Sequence, residues 1–223
     1  MIVEPVIANA GVIPPAPGFL EYLRTATRDA GALLIFDEVI TGFRLGVGGA
    51  QGRFGIEPDL TTLGKIIGGG MPIGAYGGRT ELMDLVAPLG PVYQAGTLSG
   101  HPLAMAAGLA TLAALTPDSY QLLEDMGEAL AAGLREVAVR AGRRIAVAQV
   151  GSLLTVFFRG SPPRNGEEAL SADREAYARF FRAMLNRGIL LPPSPFEAWF
   201  ISLAHGAPEV EATVAAAAEA FAA

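Results

Sequence analysis

Of the 16 basic residues in this chain of 223, Lys65 is the one lysine, and it sits between TTLG and IIGGG. On a solvated surface Arg and Lys serve equally. Only an amine condenses with an aldehyde to give an imine, because a guanidinium never sheds its proton. An arginine-rich composition that kept one lysine by chance would give the same count, so the neighbourhood has to decide. Asp37 lies 28 residues earlier, at the end of the apolar run LLIF. A carboxylate there is costly to bury unless a cation meets it, and a protonated ring nitrogen is such a cation. A second reading has equal weight on these residues alone: Asp37 or Glu38 caps the following turn. The glycines flanking Lys65 let backbone approach a ligand closely. They do not form a nucleotide-phosphate loop of the GxxxxGK[ST] type. Asp59 stands at its first glycine and Ile66 at its Ser or Thr, and no GxGxxG follows a strand.

Other residues carry weaker signals. Gly96, Thr97, Leu98, Ser99 and Gly100 precede a helix whose first turn includes Pro102. Amides and hydroxyls at a helix start suit a phosphate, although ordinary capping by Thr97 or Ser99 explains the same residues. Tyr93 reads as a packed aromatic and Asn9 as a turn residue. His101 and His205 are far apart, and the chain has no cysteine, which excludes disulfides and thiolate zinc sites. No clustered metal-ligand motif is visible.

The elements that must position these residues follow from periodicity. MIVEPVIA reads as a strand, and Phe19, Leu20, Leu23 and Ala26 recur at helical spacing with Arg24 and Arg28 facing out. Gly31 ends that helix, and ALLIFDEV suits a strand buried on both faces. Strand, helix and strand in this order predict a parallel sheet. Further strands are expected at 59–63 and 75–78. A helix capped by Thr80 should run to Val86, and another follows Pro102. Beyond the shift in composition near Thr116, helices are expected at 119–141 and 173–187 and after Pro208. Strands are expected at 145–150, 153–158 and 199–204, with a polar loop over 160–171. The reading is thus two domains: an α/β domain over residues 1–116 and a smaller α+β domain over 117–223.

Hydrophobic residues make up 51% and charged residues 17%, which describes a core-rich globular chain. A net charge of -6 argues against nucleic acid or an anionic membrane as partner. Gly, Pro or charge interrupts every apolar run short of a membrane span, and no secretory leader pattern opens the chain, so a cytoplasmic location is expected.

DEVITGFR at 37–44, TTLGKIIGGGMPIGAYGGR at 61–79 and YQAGTLSGHPLAMAAG at 93–108 together resemble the class III aminotransferases, a family of fold-type I pyridoxal phosphate enzymes. YQAGTLSG, the opening VEPV with Asn9, and PSPFEAWFISLAH resemble its aminomutase branch. The resemblance implies part of a fold-type I large domain, mainly parallel sheet with helices, followed by the small domain. It implies pyridoxal or pyridoxamine phosphate as cofactor. Lys65 would form the imine and shuttle protons, Asp37 would bind the ring nitrogen, and Val39 would pack on one ring face. Thr97 would reach the cofactor phosphate of a partner subunit in a homodimer with shared sites. Asn9 and Tyr93 would lie near ring and substrate, and Glu197 would help switch an active-site loop. The implied reaction is an isomerisation of an amino-aldehyde, glutamate-1-semialdehyde, to 5-aminolevulinate. The nearest relative reaction exports the amino group to a 2-oxo acid; PFEAWF lacks the arginine such enzymes often carry there.

Two positions depart from the family pattern: His101, where Asn is usual, and Trp199, where a small residue is usual and an indole would reshape pocket or gate. The resemblance also starts midway along the family's chain. The expectation is an aminomutase represented by its C-terminal portion, binding cofactor weakly and lacking full activity alone; the alternatives are a truncated product that is not an enzyme, or a subunit that needs a separately encoded N-terminal half.

Overall fold

The computed structural model describes residues 1–222. The chain divides into two compact units. Met1–Pro5 with Pro17–Pro117 form the first, and Val6–Ala16 joins the second with the chain from Asp118 onward. The segment 6–16, grouped by sequence with the first domain, therefore packs with the second.

The first unit is a four-stranded sheet in the order β1 (Ile2–Val3), β2 (Ile35–Asp37), β3 (Leu60–Gly64), β4 (Gly74–Gly78). β1, β2 and β3 are parallel, whereas β4 runs antiparallel to β3 with Thr62 opposite Tyr76. The expected parallel sheet therefore carries one reversed edge strand. The nine-residue link from β3 to β4 is too short for a covering crossover, so the chain turns back on itself. The opening strand is also shorter than expected, reduced to Ile2–Val3. Helix α1 (Phe19–Asp29) buries Leu20, Leu23 and Thr27 against Leu34, Phe36 and Ile56. Between β2 and β3 lies α2 (Gly49–Phe54). After β4 come α3 (Thr80–Met83), shorter than expected, and α4 (Pro102–Ala113). Arg79, not Thr80, is the N-cap of α3, and no side chain caps it.

Sequence spacing placed Arg24 in solvent, but it is largely buried and pairs with Asp59 at 2.9 Å. Asp59 is 4% exposed and also accepts the Leu34 N–H at 2.7 Å and the Arg79 guanidinium at 2.9 Å. This carboxylate ties α1, the start of β2 and the end of β4 to the start of β3. Burial pushes its pKa up, but the Leu34 amide and the two guanidiniums outweigh that and hold it at about 2, below the usual 3.8. A depressed folded-state value means stability that is complete above 3.8 and lost as pH falls towards about 2. The urea midpoint of the chain should therefore drop over that acid range. Asp59→Asn should have a lower midpoint at neutral pH and a flatter acid profile. A variant profile as steep as the parent's would show that other carboxylates carry the dependence.

The second unit is a three-stranded antiparallel sheet, β5 (Ala146–Val150), β6 (Leu153–Phe157) and β7 (Trp199–Phe200), with helices α5 (Pro117–Arg140), α7 (Arg174–Leu185) and α8 (Ala207–Ala222). Its core joins Leu134, Leu154, Val156, Tyr177, Phe180, Met184 and Phe221. The Tyr177 hydroxyl, pushed up to about 12 by burial, donates to the Pro192 carbonyl at 2.5 Å. The expected loop at 160–171 contains a short helix, α6 (Gly166–Leu170), capped by the Asn165 side chain on the Glu168 N–H. Trp199 is 6% exposed and belongs to this core, paired in register with Leu154. It also lines a cavity of the second unit together with Leu191, Ile201 and Pro208. No helix of the described residues is long and apolar enough to cross a membrane.

Candidate active site

In parallel sheets the strand carboxyl ends face the loops that take ligands. Asp37 is the last residue of β2 and lies opposite Thr62 of β3. Its Oδ1 accepts the Thr62 hydroxyl at 3.2 Å and the Val39 N–H at 3.1 Å. Two donors fix one oxygen and leave the carboxylate partly exposed, able to meet a cation. The bond to the Val39 N–H is itself a turn cap, and Glu38 takes a larger share of the following loop. That carboxylate is 1% exposed and accepts from the Thr41 hydroxyl, the Ala50 and Gln51 N–H groups and the Gln51 side-chain amide. The adjacent acids thus have different roles, one spent on the 41–51 loop and the other left at the strand end.

Lys65 follows β3 directly and opens a 3-10 turn, Lys65–Gly68. Its φ of 49° is left-handed, which costs a residue with a Cβ roughly 1–2 kcal/mol. Such strain persists only where the surroundings impose it, and it gathers at functional sites. The surroundings here are explicit. A Cβ on Gly64 would lie 3.3 Å from a Val39 methyl, so Val39 packs over the residue before Lys65. A Cβ on Gly69 or Gly108 would strike the Ala107 or Ile67 carbonyl, so α4 presses directly on the turn. Asp37, Val39 and Lys65 are thereby gathered at the ends of two adjoining strands. Lys65 itself is exposed and lines a depression of about 420 Å³ with Gly69, Gly70, Met71 and Thr111; Asp37 is not among the lining residues.

Tyr93 and Thr97 are exposed on the segment leading to α4, and neither bonds to Asp37 or Lys65 among the described residues. The N-cap of α4 is His101, with no side-chain cap and Pro102 in the first turn, so Thr97 and Ser99 are not spent on capping. In the second unit, Asn9 and Glu197 are both exposed and lie on neighbouring segments. Ile7 and Ile13 bridge around Asn9, and the Gly11 N–H donates to the Phe196 carbonyl. The buried Thr155 hydroxyl accepts the Val12 N–H at 3.0 Å and donates to the Glu197 carbonyl at 3.2 Å. Sequence reading missed Thr62 and Thr155. The first had a usable signal, since a hydroxyl opposite a strand-end acid can hold it. The last depends on contacts 143 residues apart. No group of three or more His, Cys, Asp or Glu suited to a metal occurs among the described residues.

Residues 1–202 match the family of class-III aminotransferases. The chain belongs to that family. It is 59% identical over 223 residues to a glutamate-1-semialdehyde 2,1-aminomutase of Thermomicrobium roseum, covering 100% of this chain and 52% of that protein. It is 56% identical to the aminomutase of Pelotomaculum thermopropionicum, over 99% of this chain and 51% of the other. The chain thus spans about half the length of the curated relatives it matches. Among solved structures, an omega-transaminase from Sphaerobacter thermophilus superposes with a TM-score of 0.92 at 38% identity, covering 99% of this chain and 51% of that one. A glutamate-1-semialdehyde aminomutase from Pseudomonas aeruginosa, solved in complex with PMP, superposes with a TM-score of 0.87 at 32% identity. It is covered to 51% by 98% of this chain. These class-III likenesses establish the fold-type I architecture for the described half.

Proposed function

We propose that this chain is part of a cytoplasmic aminomutase that holds pyridoxal or pyridoxamine phosphate and converts glutamate-1-semialdehyde to 5-aminolevulinate. The observation that carries the reading is the strand-end pair: an aspartate carboxylate with one oxygen fixed at the end of β2, and the chain's one lysine in a strained turn at the end of the adjoining β3. The cofactor fits these residues. When bound, it supplies an aldehyde for an amine and a cationic ring that withdraws electrons from the substrate carbon.

Asp37, with one oxygen held by the Thr62 hydroxyl and the Val39 N–H, would hold the cationic ring nitrogen. Val39 offers an apolar face at the same strand end. The Lys65 amine, on its four-carbon stem, would serve as base and then acid for the proton exchanged between the substrate carbon and the cofactor carbon. Thr97, with its hydroxyl uncommitted to a helix cap, contacts the cofactor phosphate of a partner subunit. Tyr93 and Asn9 contact ring and substrate, and Glu197 acts on loop closure that retains the intermediate. A homodimer is supported by the apolar surface around Thr97, where Leu98, Leu103 and Leu109 are 58%, 64% and 73% exposed.

The resemblance to an omega-transaminase supports a second reading, amino transfer to a 2-oxo acid. The test combines this chain with the separately expressed N-terminal part of the Thermomicrobium roseum relative and supplies glutamate-1-semialdehyde. Formation of 5-aminolevulinate without any 2-oxo acid is expected. Turnover only with a 2-oxo acid, and a new amino acid from it, would establish the second reading instead. Capture of the cofactor by borohydride at a residue other than Lys65 would sink both.

A further inference from the structure

The second unit contains a cavity of about 680 Å³ between the turn after α5, the end of β6, one face of α7 and the last turn of α8. Four arginines line it: Arg143, Arg144, Arg159 and Arg179. Two of them have partners. Arg143 Nε donates to the Phe221 carbonyl at 2.7 Å, and Arg159 meets Glu168 at 3.3 Å, a carboxylate already held by Arg164 at 2.8 Å. Arg144 and Arg179 have neither a carboxylate partner nor a hydrogen bond among the described residues. The one acid on the lining, Asp173, uses Oδ1 to accept the Ala176 N–H at the start of α7.

A Cβ on Gly160 would lie 2.7 Å from Arg144 Nη2, so the guanidinium lies directly across that glycine at the end of β6. Phe158, half-buried, adds an apolar wall. In a chain of net charge -6, four guanidiniums on one cavity reverse the local sign. They cannot relieve their mutual repulsion by losing protons, so an anion is what relieves it. Guanidinium forks match the oxygens of phosphate in pairs, and the space is that of a small organic ligand, beyond a single inorganic anion.

We propose that this cavity binds a small molecule carrying two or more phosphate groups. The site uses residues of the second unit alone and requires nothing of Lys65 or Asp37.

Pyrophosphate is the probe, titrated calorimetrically into the purified chain at low salt, with citrate as a carboxylate comparator. One saturable site is expected, with citrate binding more weakly. Arg144→Gln with Arg179→Gln should weaken binding by about tenfold or more, since two charge-assisted pairs are lost. Both side chains are exposed, so the near-ultraviolet circular dichroism should be unchanged. Gly160→Ala keeps every charge but displaces the Arg144 guanidinium, and it should also weaken binding several-fold. Thr97→Val should leave it unchanged. The proposal fails if no saturable binding occurs or if both arginine and glycine variants bind as tightly as the parent. It also fails if Thr97→Val abolishes the signal, or if citrate binds as well as pyrophosphate.

Discussion

Lys65→Arg is expected to abolish the visible absorbance of a chain mixed with pyridoxal phosphate and to leave no borohydride-stable adduct. Activity of the assembled enzyme should fall by at least about three orders of magnitude, because the variant loses both the imine-forming amine and the proton carrier. The substitution keeps the positive charge, so electrostatic attraction for the phosphate survives and non-covalent binding should persist. The fold should survive too. Lys65 is exposed, makes no ion pair among the described residues, and Arg tolerates the left-handed backbone no worse than Lys. The comparison therefore isolates the amine. An imine spectrum in the arginine variant would defeat the assignment of Lys65. Loss of absorbance with unchanged turnover would separate the amine from the reaction.

Glu38→Ala is expected to give the largest loss of stability of any single change near the site, about 3 kcal/mol. Four donors converge on this carboxylate: the Thr41 hydroxyl, two backbone amides and the Gln51 side chain. Removing it leaves buried donors unsatisfied at a cost of about 1–3 kcal/mol each before relaxation and water entry reduce the sum. Gly49 shows how tight the arrangement is, since any side chain there would strike Glu38 Oε2. Glu38→Gln should cost less, because one amide oxygen still accepts. Its amino group must then face donors, so recovery should be partial. Denaturant midpoints and hydrogen exchange over residues 41–51 provide the measurement. Exchange there as slow in Glu38→Ala as in the parent would show that the loop does not depend on this acid. Asp37→Asn, by contrast, should hardly change stability, because that carboxylate holds only the Thr62 hydroxyl and the Val39 amide.

Asp37 and Glu38 also show where sequence reading reaches its limit. Two adjacent acids after an apolar run present one ambiguous signal, a ligand group or a cap. Alternation along a strand sends neighbours to opposite faces, so the same dipeptide supplies both roles. Which acid takes which role depends on where β3 and the 41–51 loop lie. Arg24 failed for a similar reason. Helical spacing placed it opposite the apolar stripe, yet Asp59, 35 residues later, draws it in. Trp199, read from sequence as a departure from the family pattern, is buried in the core of the second unit and lines a cavity there. Whether a residue lines a site or fills a core is decided by the neighbours that the fold supplies.

The candidate chemistry of this protein is legible in the linear sequence. One amine in an arginine-rich chain, an acid at a strand end and glycines on both sides of the lysine are properties of residue type and order. So are the parallel strands that alternate with helices, because side-chain periodicity is local. The tertiary structure decided what depends on distant partners. It chose the acid that faces outward, reversed the edge strand, imposed the left-handed turn on Lys65 and gathered four arginines from three separate stretches. Periodicity reports which face of an element is apolar, but only packing fixes what stands opposite it.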